Sequence, residues 1–259
     1  MIGFRVGQVQ TTVSWRHHAV IPTVMAALLA LPSILTAQTA VPQGTIIPVS
    51  LDGSVNADKV HTGQSIRATV MQNVPGTAIH RRAHILGHVI EARVAANGEQ
   101  MLQINWDRIA LKGGIVPVRT NLRALASFIE VEQAQIPDFL SSRGMTPEQW
   151  PTEQIGGDQV YRGGGPLSEG DKTVGTVTAW GVLGVPRTQA GMPCRGTVDG
   201  NLRPQALWLF SVDACGVYGY PGIEISHYGR DDPKGVITLS SCNGKLDLRS
   251  GTAMLLRVW

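Results

Sequence analysis

Two Asn-Gly dipeptides, Asn97-Gly98 and Asn243-Gly244, each stand between runs in which apolar and polar residues alternate. Asn and Gly both accept the left-handed backbone that a two-residue turn requires, so each dipeptide commits its flanks to antiparallel strands. The first joins 85–94 to 100–106, and the second joins 236–240 to 246–248. Further β-branched runs bounded by Gly, Pro or Asn occupy 45–51, 65–71, 115–118, 173–185, 206–212, 222–227, 245–249 and 253–259. Short strands punctuated in this way predict a mainly β chain, an antiparallel β-barrel or sandwich-like domain.

The pattern loosens in the middle of the chain. Residues 122–140 read either as a helix broken at Pro137 or as a last strand followed by a loop. Thr146-Pro147-Glu148 supplies a cap residue and then Pro at the first helical position, which predicts one helical turn. Residues 156–170 are rich in Gly and read as an exposed, mobile loop. The apolar run at 254–258 predicts a buried final strand that pairs back with the first domain. The expected layout is therefore a β domain over 41–124, a Gly-rich, loop-rich insertion or second lobe over 125–232, and a closing β-hairpin with a terminal strand over 233–259.

The first 37 residues read as an address. Arg5, Arg16, His17 and His18 precede an apolar run from Ala19 to Ala37 that contains Pro22 and Pro32 and ends in small residues. This is the layout of a secretory signal peptide cleaved after Ala37 or, because the leader is long, of an uncleaved amino-terminal anchor. No later run approaches the ~20 apolar residues that span a bilayer, so membrane contact is expected only through this segment. Removing its two arginines leaves 20 Lys+Arg against 19 Asp+Glu. A nearly neutral chain lacks the basic footprint of a nucleic-acid binder. The three cysteines, Cys194, Cys215 and Cys242, fit one disulfide and one free thiol in an exported chain. Cys194 with Cys215 is the preferred pair, both lying beside Gly or Pro; the other pairings, and three buried thiols, stay open.

The stretch His80-Arg81-Arg82-Ala83-His84-Ile85-Leu86-Gly87-His88 spaces three histidines by four. In a helix they would rise ~6 Å per step along one face, and neighbours would clasp one metal. In a strand they stand ~13 Å apart and share none. Gly87, the turn at Val74-Pro75-Gly76 and the β-branched Ile85, Val89 and Ile90 select the strand, so no metal site and no cofactor is expected. A hydrolase would need a nucleophile, base and orienting group to converge, and the candidates are Cys215 or Cys242 with His227 and Asp231 or Asp232. No hydrolase signature surrounds them, and no catalytic role is expected. Glycines at 163–165, 181 and 184 lack the Gly-Lys-Ser/Thr of a phosphate loop. Among the aromatics, Trp208 sits in an apolar run and reads as core. Tyr218 and Tyr220 flank Gly219 and share a side if extended, which makes them, with His227 and Tyr228, the expected binding surface.

Residues 41–119 resemble the carboxy-terminal β domain of the TrbI-like conjugal-transfer proteins of type IV secretion systems. The matching pieces are Gly44-Thr45-Ile46-Ile47-Pro48-Val49-Ser50-Leu51, Ala57-Asp58, Gly63, Ile79 through Gly87, Gly98, Leu102 through Ile109, and Gly114-Ile115-Val116-Pro117-Val118. His80 and Arg82 take the places of that family's Pro and Gly. The resemblance places Pro48 at a strand edge or bulge and Trp106 in a core. It implies a cell-envelope protein with a structural or interaction role, whose partners are envelope proteins or further copies of itself. The other class in view is an exported peptide- or carbohydrate-binding β module. Both place the mature chain in the periplasm or outside the cell.

Overall fold

The core strands of this protein are buried on both faces, and the sequence shows how. In β18 (Ala253–Val258), Met254, Leu256 and Val258 join one hydrophobic core while Ala253 and Leu255 join a second. The neighbouring β1 (Ile46–Leu51) does the same, with Ile47, Val49 and Leu51 on one side and Ile46 on the other. Side chains alternate across a strand, so a run apolar at nearly every position can only be satisfied between two layers. The computed structural model describes residues 40–136, 151–157, 159–161, 165–169, 171–178, 180–185, 204–212, 214–226, 235–242 and 244–259, all within one unit spanning 38–259.

The main layer is a ten-stranded sheet. Its further members are β3 (Ser65–Val70), β4 (His84–Val94), β5 (Gln100–Leu111), β6 (Gly114–Pro117), β7 (Thr120–Ala126), β14 (Gly216–Tyr218), β15 (Ile223–Ile225) and β16 (Ile237–Ser241). The order is β14-β7-β18-β1-β3-β4-β5-β16-β15, with β6 also pairing β5. All pairs are antiparallel except β14 with β7. The sheet's two end strands, β14 and β15, are in contact and only four residues apart in the chain, yet no hydrogen-bonded ladder joins them. The sheet is thus curled around the first core without closing as a barrel, and the fold is mainly β and sandwich-like.

The second layer comes from the middle of the chain. A four-stranded sheet runs β10 (Pro166–Glu169), β11 (Lys172–Thr178), β12 (Gly181–Gly184) and β13 (Gln205–Trp208), beside a ribbon of β8 (Pro151–Glu153) and β9 (Gln159–Tyr161). Val174, Val182, Leu207, Phe210 and Val212 pack it onto Ala124, Ala126, Ala253 and Leu255 of the main sheet. Polar ties fix the registration of the layers. The Ile46 N–H donates to Gln205 Oε1 at 3.1 Å, and the Trp208 N–H donates to Gln72 Oε1 at 2.9 Å. A bulge in β7 makes Arg123 the extra residue against Leu255 and Leu256. Its buried guanidinium donates from Nε to the Ala214 carbonyl at 3.0 Å and from Nη2 to the Val212 carbonyl at 2.8 Å.

Several expectations change here. Of the segment 122–140, described as far as residue 136, the strand is present as the end of β7 at Ala126, but it leads through Ser127 into a helix, α1 (Phe128–Gln133), and not directly into a loop. The expected turn at Thr146 lies outside the described residues. The span 156–170 is not all loop, because β9 and β10 pair with β8 and β11. β14 and β15, inside the expected insertion, belong to the main sheet. The runs 236–240 and 246–248 do not pair with each other: both edges of β16 are taken by β5 and β15, and β17 (Asp247–Leu248) pairs instead with β2 (Val55–Asn56). Pro48 is not on an edge, since β1 is central; it stands one residue beyond the β3 pairing, which begins at Val49.

Trp106 is wholly buried in the first core, where it lies against Gly87 across the β4–β5 ladder. A Cβ at Gly87 would run into the Asn105 carbonyl and the indole, so Gly is what lets the strand approach. Replacing Trp106 with Ala should cost about 3–5 kcal/mol of unfolding free energy, measured by denaturant titration.

Candidate functional site

α1 is the hinge of the candidate site. Ser127 caps it, its Oγ accepting from the Glu130 N–H at 3.3 Å, and its own N–H donates to the Tyr218 carbonyl at 3.0 Å. The helix is thereby pinned to β14, and its faces open onto two different clefts. Phe128 lines the first; Glu130, Gln133 and Ala134 line the second. Close approach of the chain beyond β14 depends on Gly219, which has φ 68°, because a Cβ there would meet Ser127 Oγ and the Glu130 side chain.

That bend also separates the two tyrosines. With Gly219 in the left-handed region the chain is not extended, and Tyr218 and Tyr220 do not share a face. Tyr218 packs on the second core, and its hydroxyl donates to the Cys215 carbonyl and accepts from the Cys215 N–H, both at 3.0 Å. Tyr220 packs on the first core and hydrogen-bonds Thr252 Oγ1. Burial pushes the Tyr220 hydroxyl above its ordinary pKa, offset in part by the Thr252 hydrogen bond. His227, Tyr228, Asp231, Asp232 and Cys194 lie outside the described residues, and Cys242 is free and exposed at the end of β16.

The first cleft, of about 540 Å³, is built on the short β2–β17 ribbon. Asn56 and Asp247 are direct cross-strand partners. Val55 and Leu248 turn into the core, so the alternating neighbours Asn56, Asp247 and Arg249 turn outward. One turn of chain after β2, closed by the Lys59 and Val60 N–H groups on the Asn56 carbonyl, brings Lys59 and Gln64 to the rim. The half-buried Phe128 ring packs against the Gly251 turn and supplies the apolar wall. Among the described residues neither Lys59 nor Arg249 has an ion-pair partner. The second cleft, of about 380 Å³, is acidic through Glu130 and Glu153 and also includes Tyr218 and buried Gln154.

Two of the three histidines, His84 and His88, stand on β4, and His80 precedes it in a loop. His84 and His88 lie on the same face of β4, His84 Nδ1 being 3.7 Å from Asp52 and 3.3 Å from Thr69 Oγ1, and His88 Nδ1 3.2 Å from Asp107. Arg67 and Arg108 pair with the same two carboxylates. Among the described residues no group of three or more His, Cys, Asp or Glu side chains is placed to hold a metal ion. Nor is any helix there long and apolar enough to cross a membrane.

Phe128, Lys59, Asp247 and Arg249 were not singled out from the sequence. The alternation Asp247-Leu248-Arg249 is a signal that the acid and the base share a side. What it faces depends on β2, far away in the chain. No protein-family model, curated protein or solved structure matches this chain.

Gly219→Ala should lower stability by about 1–3 kcal/mol through strain and overpacking at the α1 junction, read from denaturant unfolding. Because the folded state holds Tyr220 protonated to a higher pH than the unfolded chain does, its contribution is fully present below the ordinary phenol pKa and is lost as pH rises through the folded value. Unfolding titrations from neutral to strongly alkaline pH should show a smaller alkaline loss in Tyr220→Phe than in the parent.

Proposed function

We propose that this chain is a non-enzymatic, exported protein of the bacterial cell envelope that works by binding, with the Phe128 cleft as its contact site. The observation that carries the reading is the pair of cations, Lys59 and Arg249, without ion-pair partners among the described residues, set with amide and carboxylate side chains around an aromatic wall. The basic leader and apolar run at 1–37 support export. The resemblance of 41–119 to the TrbI-like β domain supports an envelope setting.

Between the two roles considered for such a protein, the strand ends favour a discrete binding module over an assembly subunit joined edge to edge. The strands that end its two larger sheets, β14, β15, β10 and β13, are three or four residues long. Short edges offer another chain few free backbone groups to pair with. A Cys194–Cys215 disulfide belongs to the same proposal. The free, exposed Cys242 fits a pairing of the other two cysteines. That bond would anchor the segment on which the Tyr218 hydroxyl rests.

Cross-linking in intact cells, followed by size separation of the envelope fraction and mass spectrometry, tests the reading. The expected result is a small species outside the cytoplasm that begins at Gln38 and contains the Cys194–Cys215 bridge. Recovery in a large complex of envelope proteins would replace the binding-module role with the assembly role. An intact amino terminus in the cytoplasm would sink both.

A further inference from the structure

Resting on that reading, we infer that the Phe128 cleft takes a sugar bearing a single carboxylate, a uronic-acid-type residue. Three features of the cleft converge on this class. The first is charge: Lys59 and Arg249, without ion-pair partners among the described residues, are both available to an anion, and Asp247 on β17 is the only carboxylate among the lining side chains. One ligand carboxylate gains charge-assisted hydrogen bonds from the two cations. A second negative charge on the ligand would meet Asp247, so the rest of the molecule should be neutral.

The second feature is the density of hydrogen-bonding side chains. Asn56, Gln64 and Asp247 stand around the cleft together with the serine hydroxyls at 54 and 250. Ser54 and Ser250 are held by bonds of their own: Ser54 Oγ accepts from the Ser250 N–H at 3.1 Å, and Ser250 Oγ donates to the Asp52 carbonyl at 2.9 Å. Asp247 has no ion-pair partner among the described residues, and a carboxylate in that state accepts readily from ligand hydroxyls. A lining of this kind suits a ligand with many hydroxyls better than an apolar one. The third feature is Phe128, whose half-buried ring is set in place by α1 and the Gly251 turn. A pyranose has an apolar C–H face that an aromatic ring can cover, while its hydroxyl edge turns to the polar wall. The cleft's 540 Å³ falls in the range of ~300–1,000 Å³ typical of small-ligand sites.

The test is isothermal titration of the mature chain with D-glucuronate, glucuronamide, D-glucose and glucose 6-phosphate, beside a broad glycan and peptide array. Glucuronate should bind at least about tenfold more tightly than the neutral glucuronamide, the difference being the charge-assisted contacts with Lys59 and Arg249. Arg249→Gln and Lys59→Gln should each weaken glucuronate by about tenfold without a change in melting temperature, since both side chains are exposed. Phe128→Leu keeps apolar bulk and should weaken all the sugars alike. Equal binding of glucuronate, glucuronamide and glucose would overturn the carboxylate assignment and leave the binding role standing. Tighter binding of glucose 6-phosphate would overturn it in favour of a phosphate. Absence of all four, with a hit elsewhere on the array, would overturn the sugar and keep the binding role; an empty array would remove both.

Discussion

The double-sided burial of β7, β18 and β1 is the constraint on which the rest of this structure depends. Each strand alternates its side chains between two cores, so neither layer can be lost without exposing the other face of the same strands. At roughly 1.5–3 kcal/mol for each large aliphatic side chain taken from water, these strands carry a large share of the stabilising burial. β18 lies in the middle of the sheet, between β7 and β1, so the main sheet is complete only when residues 253–258 are in place.

Arg123 shows how polar chemistry is accommodated within that apolar frame. The β7 bulge turns its side chain between the layers, and the Val212 and Ala214 carbonyls accept from it. A charge taken out of water is tolerable only when its donors are met in this way. The contact holds Val212 and Ala214 beside β7. From there the chain runs directly into β14, Gly219 and Tyr220, the stretch that seats α1. The position of the Phe128 cleft is thus connected, step by step, to the packing of the two layers.

Much of the fold was legible because strand signals are local. The alternation in 100–106 predicts β5, the Asn97-Gly98 turn predicts its pairing with β4, and the β-branched residues around His84 and His88 predict extended backbone there. Signals failed where the partner mattered. Asn243-Gly244 has the chemistry of a hairpin turn, but β5 and β15 occupy the edges that the hairpin would need. Tyr218 and Tyr220 have the spacing of a shared face, but Gly219 adopts a conformation that its own sequence context permits without requiring.

The sequence by itself determined that this chain is mainly β, which runs are strands, and that Trp106 is core. Those properties follow from periodicity and turn chemistry, which act over a few residues. Only the tertiary structure decided which strands are neighbours, where the sheet is covered on both sides, and that Lys59, Phe128 and Arg249 surround one cleft. Ser54 and Ser250, hydrogen-bonded to each other in that cleft's lining, are 196 residues apart. A contact over such a distance is set by the burial of all the strands between, and no local pattern encodes it.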